Sequence, residues 1–302
     1  MRFLSPDGSG MRGWSSSSGP ASGGGQPKEV RAKVVVAIEG LLIDIDGVLT
    51  VSWEPIDGSP EAMATLRELG IPLRFATNTT TRTRAEVASL ITSAGMPVEP
   101  GEILTAPVAT AVHLRRHHPG ARCFLLNSGD LSEDLEGIEL ADHGPEDGPV
   151  DVVVIGGAGL NFTHEQLNRA FGHLLGGAEF VAMHRNLYWR TSRGMELDTG
   201  AYVRALEESS GRTPVVLGKP SVEFFAAGVA DLGLNAEQVA MVGDDIENDV
   251  LAGQRAGLYG VLVRTGKFLP EVYDTATGEP DVVVDSFADV PEIGRASCRE
   301  RV

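Results

Sequence analysis

The chain has 302 residues, 42% of them hydrophobic, and carries 42 Asp and Glu against 25 Lys and Arg for a formal net charge of −17. That hydrophobic content supports one large or two medium folded domains and excludes disorder throughout, while the negative surface speaks against nucleic acid and anionic membranes and for a metal cation. There is no apolar run near the roughly 18 residues of a membrane span, no apolar core of a signal peptide, and no disulfide or metal pattern in two cysteines, Cys123 and Cys298, so the expected compartment is the cytoplasm.

Residues 1–36 hold a serine run at 15–18 and a glycine run at 23–25, a composition that cannot bury a core and reads as a flexible tail. Beyond it, apolar runs at 41–45, 73–76, 152–155, 215–217, 239–242 and 259–263 alternate with helical segments, as strands buried on both faces do. The helix between the first two runs has Ser59 for its N-cap, Pro60 in the first turn, Met63, Leu66 and Leu69 on one face and Gly70 as its stop. Another opens at Thr163 with Gln166 three residues on, the spacing of a capping box, and continues through Leu167, Phe171 and Leu174. The alternation predicts an α/β fold with a doubly wound parallel sheet, whose ligands gather at the carboxyl ends of the strands. Cys123, in the apolar run 123–126, reads as a buried small hydrophobe.

Polar clusters follow the runs. The first run ends in Asp44-Ile45-Asp46-Gly47-Val48, two acids at one strand tip with a glycine that permits a sharp turn. The second is followed by Thr77-Asn78-Thr79-Thr80-Thr81, uncharged hydrogen-bonding groups suited to a phosphate oxygen. After 215–217 comes Gly218-Lys219-Pro220-Ser221, an ammonium that offsets phosphoryl charge before a helix that Ser221 could cap. After 239–242 comes Gly243-Asp244-Asp245-Ile246-Glu247-Asn248-Asp249, where adjacent carboxylates repel and a hard dication relieves the repulsion. Each has a plainer reading alone: a solvated turn, a surface lysine, acids at a helix N-terminus. A calcium loop at Asp44 fails, because Val48 stands where an oxygen ligand belongs. The four together, in this order and each at a strand end, point to one site.

In that order the residues resemble the four motifs of the haloacid dehalogenase superfamily: Asp44-Ile45-Asp46-Gly47-Val48, Thr77-Asn78, Lys219, and Gly243-Asp244-Asp245 with Asp249. The long insert between the second and third motifs is similar to the C2-type cap of subfamily IIA, the NagD-like enzymes. Gly218-Lys219-Pro220, Met241 to Asp245 and Arg264-Thr265-Gly266-Lys267 bring the chain nearest the phospholysine phosphohistidine inorganic pyrophosphate phosphatase branch. Asp46 departs from that branch, where a serine can occur, and favours ordinary phosphomonoester chemistry. The resemblance implies a catalytic core at 37–106 and 214–291, a cap at 107–213, and a Mg2+-dependent phosphatase acting on a small phosphorylated substrate as a homodimer. Asp44 would be the nucleophile that takes the phosphoryl group and Asp46 the general acid and base. Thr77, Asn78 and Lys219 would hold the phosphate oxygens, and Asp44, the Asp46 carbonyl, Asp244 and Asp249 the metal, with Asp245 able to assist.

Two alternatives come from other classes: a phospho-accepting signalling module, whose acid pair would precede the acceptor, and an inert interaction protein on the same fold. Within the insert, residues 183–193 mix basic and aromatic side chains, among them His184, Trp189, Arg190 and Arg193, and read first as a solvated hairpin. His113, His117 and His118 read as the exposed end of a helix. Residues 292–302 resemble a translated sequencing adapter and are set aside, which makes Cys298 non-native and leaves a final helix missing.

Overall fold

The computed structural model describes residues 38–141, 148–191 and 194–293, with the side chains of Trp189, Arg190, Thr191 and Met195 not described. The expected tail 1–36, Arg193 and Cys298 lie outside those residues.

Valine, isoleucine and leucine crowd the runs expected to be strands, and all six form strands, in two sheets. A six-stranded sheet runs Val282–Val284, Tyr259–Val263, Val239–Gly243, Gly40–Asp44, Leu73–Thr77, Ile103–Thr105, with every pairing parallel. Gly40–Asp44, central in that order and buried at each position, carries the first acid at its carboxyl end. Parallel pairing with helices between successive strands makes the fold α/β and doubly wound, as expected. Ile43, Leu66, Phe75, Val242 and Phe287, all fully buried, belong to one core on one face of this sheet; Leu42, Phe225 and Met241 belong to another on the opposite face.

The second sheet has five strands in the order Val215–Val216, Glu179–Ala182, Val152–Ile155, Arg122–Leu126, Glu139–Leu140, again all parallel. Residues 215–216 thus pair with 181–182 rather than with the first sheet, so the chain leaves the insert's sheet only at Gly218 and not at 214. At the exit the Gly218 N–H donates to the Met183 carbonyl at 2.7 Å, and an added Cβ there would meet Asn78, Met183 and Ala106 within 3 Å. Tyr188–Thr191 and Gly194–Leu197 form the antiparallel hairpin expected from the alternation.

Local signals held in part. Gly58, at φ 79°, is the N-cap of helix Ser59–Glu68, and Ser59 takes the first helical position with its side chain unused for capping. Thr163 caps His164–Leu175 by accepting the Gln166 N–H, but the Gln166 side-chain oxygen makes no return bond, leaving half a capping box. The Ser221 hydroxyl bonds Glu223 instead of capping. Cys123 is buried, and its thiol is pushed up to about 11 by burial. Ile293, placed in the tail by the sequence, packs against the main core. Among the described residues no helix is long and apolar enough to cross a membrane.

Candidate active site

Asp44 ends the central strand and is 6% exposed. Its Oδ1 accepts the Ile45 N–H at 2.8 Å and lies 2.7 Å from Lys219 Nζ, which stands 2.8 Å from Asp249 Oδ1 as well. Lys219 is equally buried, and a buried ammonium persists only when paired. Burial alone would lower its pKa, but Asp249 and Asp44 outweigh it and raise the value above the ordinary lysine range.

Asn78 fixes that lysine. Its Oδ1 accepts the Lys219 N–H at 2.9 Å and its Nδ2 donates to the Lys219 carbonyl at 3.0 Å. The amide assigned by sequence to a phosphate oxygen is thus bonded through both its oxygen and its nitrogen to the Lys219 backbone. Thr77 closes its strand opposite Thr105, is 4% exposed, and accepts the Thr79 N–H at 3.0 Å while bonding Thr79 Oγ1 at 2.9 Å.

The acidic knot folds by a device the sequence did not reveal. Where a plain helix was expected, Ile246–Val250 is a π-helical turn, capped by Asp245 through the Asn248 N–H and Nδ2 at 3.0 and 2.8 Å. The wider turn swings Asp249 back over the strand end, where its Oδ2 accepts the Asp245 N–H at 3.3 Å. Gly243 makes room, since a Cβ there would lie 2.3 Å from the Asp249 Cβ.

Three buried carboxylates, Asp44, Asp244 and Asp249, bring oxygens within 4.8 Å of one another. Burial, then the charge of Asp44, lifts Asp244 well above the usual carboxylate range, against the pull of Lys267. Burial pushes Asp249 up to about 6 despite Lys219. Asp244 Oδ2 accepts the Lys267 N–H at 2.7 Å, whereas Oδ1 is buried and has no partner. An orphaned carboxylate oxygen beside two like charges calls for a cation. Gly47 and Gly266, both with positive φ, make room for the other oxygen of the same carboxylate, since a Cβ there would stand 1.9 and 2.0 Å from Asp244 Oδ2. The donors thus fit a hard divalent ion. The Asp46 side chain is not among the three; part of the residue is open to solvent, while partial withdrawal of its carboxyl from water raises its pKa against the opposing charge of Lys267.

Lys267 is the residue that the chemical reading passed over. Burial would lower its pKa, but Asp244, Asp245, Asp44 and Asp249 raise it, making it a second cation for the acids. The available signal was Gly266-Lys267 after the apolar run 259–263, at the same kind of strand end as Lys219. A cavity of about 700 Å³ joins Asp44, Asp46 and both lysines to Phe162, His184, Asp198 and Tyr202 of the inserted segment.

A family model described as haloacid dehalogenase-like hydrolase matches residues 41–141, and a second, HAD-hydrolase-like, matches 216–290. Phospholysine phosphohistidine inorganic pyrophosphate phosphatase of Bos taurus is 33% identical over 86% of this chain and 95% of its own length. The chain belongs to the haloacid dehalogenase superfamily. Solved structures agree: p-nitrophenyl phosphatase from Archaeoglobus fulgidus superposes with a TM-score of 0.77 at 34% identity, covering 84% of this chain and 98% of that one. NagD from E. coli K-12 gives 0.74 at 28% identity with the same coverage. The chain is accordingly a phosphatase-type hydrolase of the NagD-like subfamily IIA with a capped fold.

Proposed function

We propose that this chain is a Mg2+-dependent phosphatase that hydrolyses a phosphate monoester, pyrophosphate or a phospho-amino acid through an aspartyl-phosphate on Asp44. The observation that carries the reading is the convergence of Asp44, Asp244 and Asp249 around the partnerless Asp244 Oδ1, with Lys219 bound to two of the three. Bound there by those carboxylates and the Asp46 carbonyl, Mg2+ would neutralise charge on the phosphoryl group and orient it.

In the first step an Asp44 carboxylate oxygen bonds to phosphorus while the bond to the leaving oxygen breaks, and Asp46 gives that oxygen a proton. General acid catalysis of this kind contributes about 10²- to 10⁴-fold, and the upward shift of the Asp46 pKa is in the direction that favours it. Asp46, now a carboxylate, takes a proton from water, whose oxygen attacks phosphorus and frees Asp44 and inorganic phosphate. Lys219 and the hydroxyl of Thr77 stabilise the equatorial oxygens, while Asn78 holds Lys219 in place. Lys267 joins this set as a charge-balancing residue.

The activity for which the bovine relative is named supports pyrophosphate and phospho-amino acids as candidates; Asp46 supports esters. A cytoplasmic homodimer is part of the same reading, carried by likeness to the subfamily. The deciding experiment is a screen of phosphate esters, pyrophosphate and phospho-amino acids with and without Mg2+, using Asp44→Asn as control. Repeated phosphate release that needs both Mg2+ and Asp44 is expected; release that Asp44→Asn leaves intact would contradict the mechanism, and retention of a single phosphate per chain would favour a signalling module.

A further inference from the structure

The loop that follows Leu73–Thr77 leaves the six-stranded sheet and meets the inserted segment at Thr80, which is 2% exposed. Thr80 Oγ1 accepts the Gly157 N–H at 2.7 Å, and the Thr80 carbonyl accepts a hydrogen bond from Asn127 Nδ2 at 2.9 Å. Asn127 directly follows Arg122–Leu126 and Gly157 lies just beyond Val152–Ile155, so both partners sit at the carboxyl ends of neighbouring strands in the five-stranded sheet. Those two ends are tied to each other, because the Ser128 N–H and hydroxyl both donate to the Gly157 carbonyl, at 3.0 and 2.7 Å. One buried, uncharged residue thus joins the strand tips of the two sheets.

The approach is too close for side chains on the side of the insert. A Cβ on Gly157 would stand 2.6 Å from Thr80 Oγ1, and one on Gly129, whose φ is +85°, would stand 2.1 Å from the Thr81 carbonyl oxygen. Thr80, Ser128 and Gly157 also line the same cavity as Asp44, Thr77 and Lys219. Thr77, which the mechanism above places at the equatorial oxygens, begins the same loop, and its Oγ1 accepts the Thr79 N–H at 3.0 Å while bonding Thr79 Oγ1 at 2.9 Å. Contacts therefore run without a break from the strand ends of the insert through Thr80 and Thr79 to the Thr77 hydroxyl. A misplacement of about 1 Å at a reacting centre, caused from a distance, costs about 10²-fold in rate.

We propose that Thr80 is a positioning residue: its hydroxyl, bonded to the Gly157 N–H, lets the inserted segment set where Thr77 stands when the phosphoryl group is transferred. This rests on the phosphatase reading and deepens it, by giving the insert a part in the chemical step.

The test compares Thr80→Val, which keeps the branched shape and the carbonyl bond but loses the acceptor, with Thr80→Ser, which keeps the acceptor. Turnover of p-nitrophenyl phosphate with saturating Mg2+ is measured well below the Tm of each variant, per mole of folded protein. Thr80→Val should lower kcat by about tenfold to 10²-fold while KM stays within about threefold of wild type, and Thr80→Ser should bring kcat back to within about threefold. Asn127→Ala removes the other bond to Thr80 and should also lower kcat; combined with Thr80→Val it should cost less than the product of the two single losses, because both bonds hold one loop. Wild-type kcat in Thr80→Val, an effect on KM alone, or a loss that Thr80→Ser shares in full would overturn the proposal. If the wild type turns over no phosphorylated compound, the phosphatase reading fails by itself, and amide hydrogen exchange across residues 77–81 decides the anchor: faster exchange in Thr80→Val than in wild type supports it, and unchanged exchange overturns it.

Discussion

Replacing Lys219 with methionine removes one charge of a buried set while nearly preserving its volume. The Nζ lost lies 2.7 Å from Asp44 and 2.8 Å from Asp249, and three carboxylates remain within 4.8 Å of one another, faced by Lys267 alone. Breaking a buried ion pair by removing one partner costs about 3–5 kcal/mol, and in a chain of this size about 2–4 °C of Tm accompanies each kcal/mol. The metal-free Lys219→Met protein should therefore melt about 6–20 °C below the wild type by calorimetry. Saturating Mg2+ should recover part of the deficit, because it replaces the missing positive charge at the same carboxylates. Turnover should stay low even with Mg2+, by about 10²-fold or more, since a fixed electrostatic donor at the phosphoryl group has gone. A metal-free variant that melts within about 1 °C of the wild type would refute the claim that Lys219 compensates the buried acids.

Gly266→Ala places a Cβ 2.0 Å from Asp244 Oδ2 at a φ of +60°, so Mg2+ affinity measured by calorimetry should drop at least about tenfold; unchanged affinity would show that Asp244 is not a ligand. Asn78→Ala removes both bonds to the Lys219 backbone and should lower kcat more than it raises KM, while a pure KM effect in steady-state kinetics would return Asn78 to substrate binding. Asp249 has a folded pKa of about 6 against an ordinary 3.8, so the native state binds the proton more tightly than the unfolded chain. Its contribution to stability is present below about 4 and is lost as pH rises through about 6, and Asp244 acts in the same direction. His184, His113 and His173, whose pKa values burial lowers, oppose this over the same interval, so the test is a comparison: from pH 7 to pH 5 the metal-free wild type should gain more Tm, or lose less, than metal-free Asp249→Asn, with Mg2+ shrinking the difference; identical slopes would contradict the assignment.

Much of this architecture could be read in the chain because buried parallel strands need apolar runs, and ligands of such sheets gather at the carboxyl ends of the strands. Asp44, at the end of one such run, and Thr77, Lys219 and Asp244, one or two residues after others, were singled out by that logic. What stayed hidden depends on spatial neighbours. Residues 215–217 are as apolar as the other strands, and only pairing with 181–182 assigns their strand to the second sheet. The two bonds between the Asn78 amide and the backbone of Lys219, 141 residues away in sequence, leave no mark in the sequence either. The π-helical turn at Ile246–Val250 differs from an ordinary helix start by one residue per turn, a distinction that composition does not carry. Lys267 follows an apolar run like the others, but its role appears only when the Asp244 carboxylate accepts its N–H. His184, Asn186 and Asp198, which line one cavity, come from two stretches that straddle the hairpin, and nothing in their spacing announces it.

The central claim is that Asp44 bonds covalently to phosphorus. The most direct test is acid-quenched mass spectrometry of the enzyme during turnover of p-nitrophenyl phosphate with Mg2+, in wild type, in Asp46→Asn to slow breakdown of the intermediate, and in Asp44→Asn. The account predicts one added phosphoryl group located to Asp44, more abundant in Asp46→Asn and absent from Asp44→Asn. Sustained turnover with no phosphoryl group on the protein, or with that group on another residue, would contradict it.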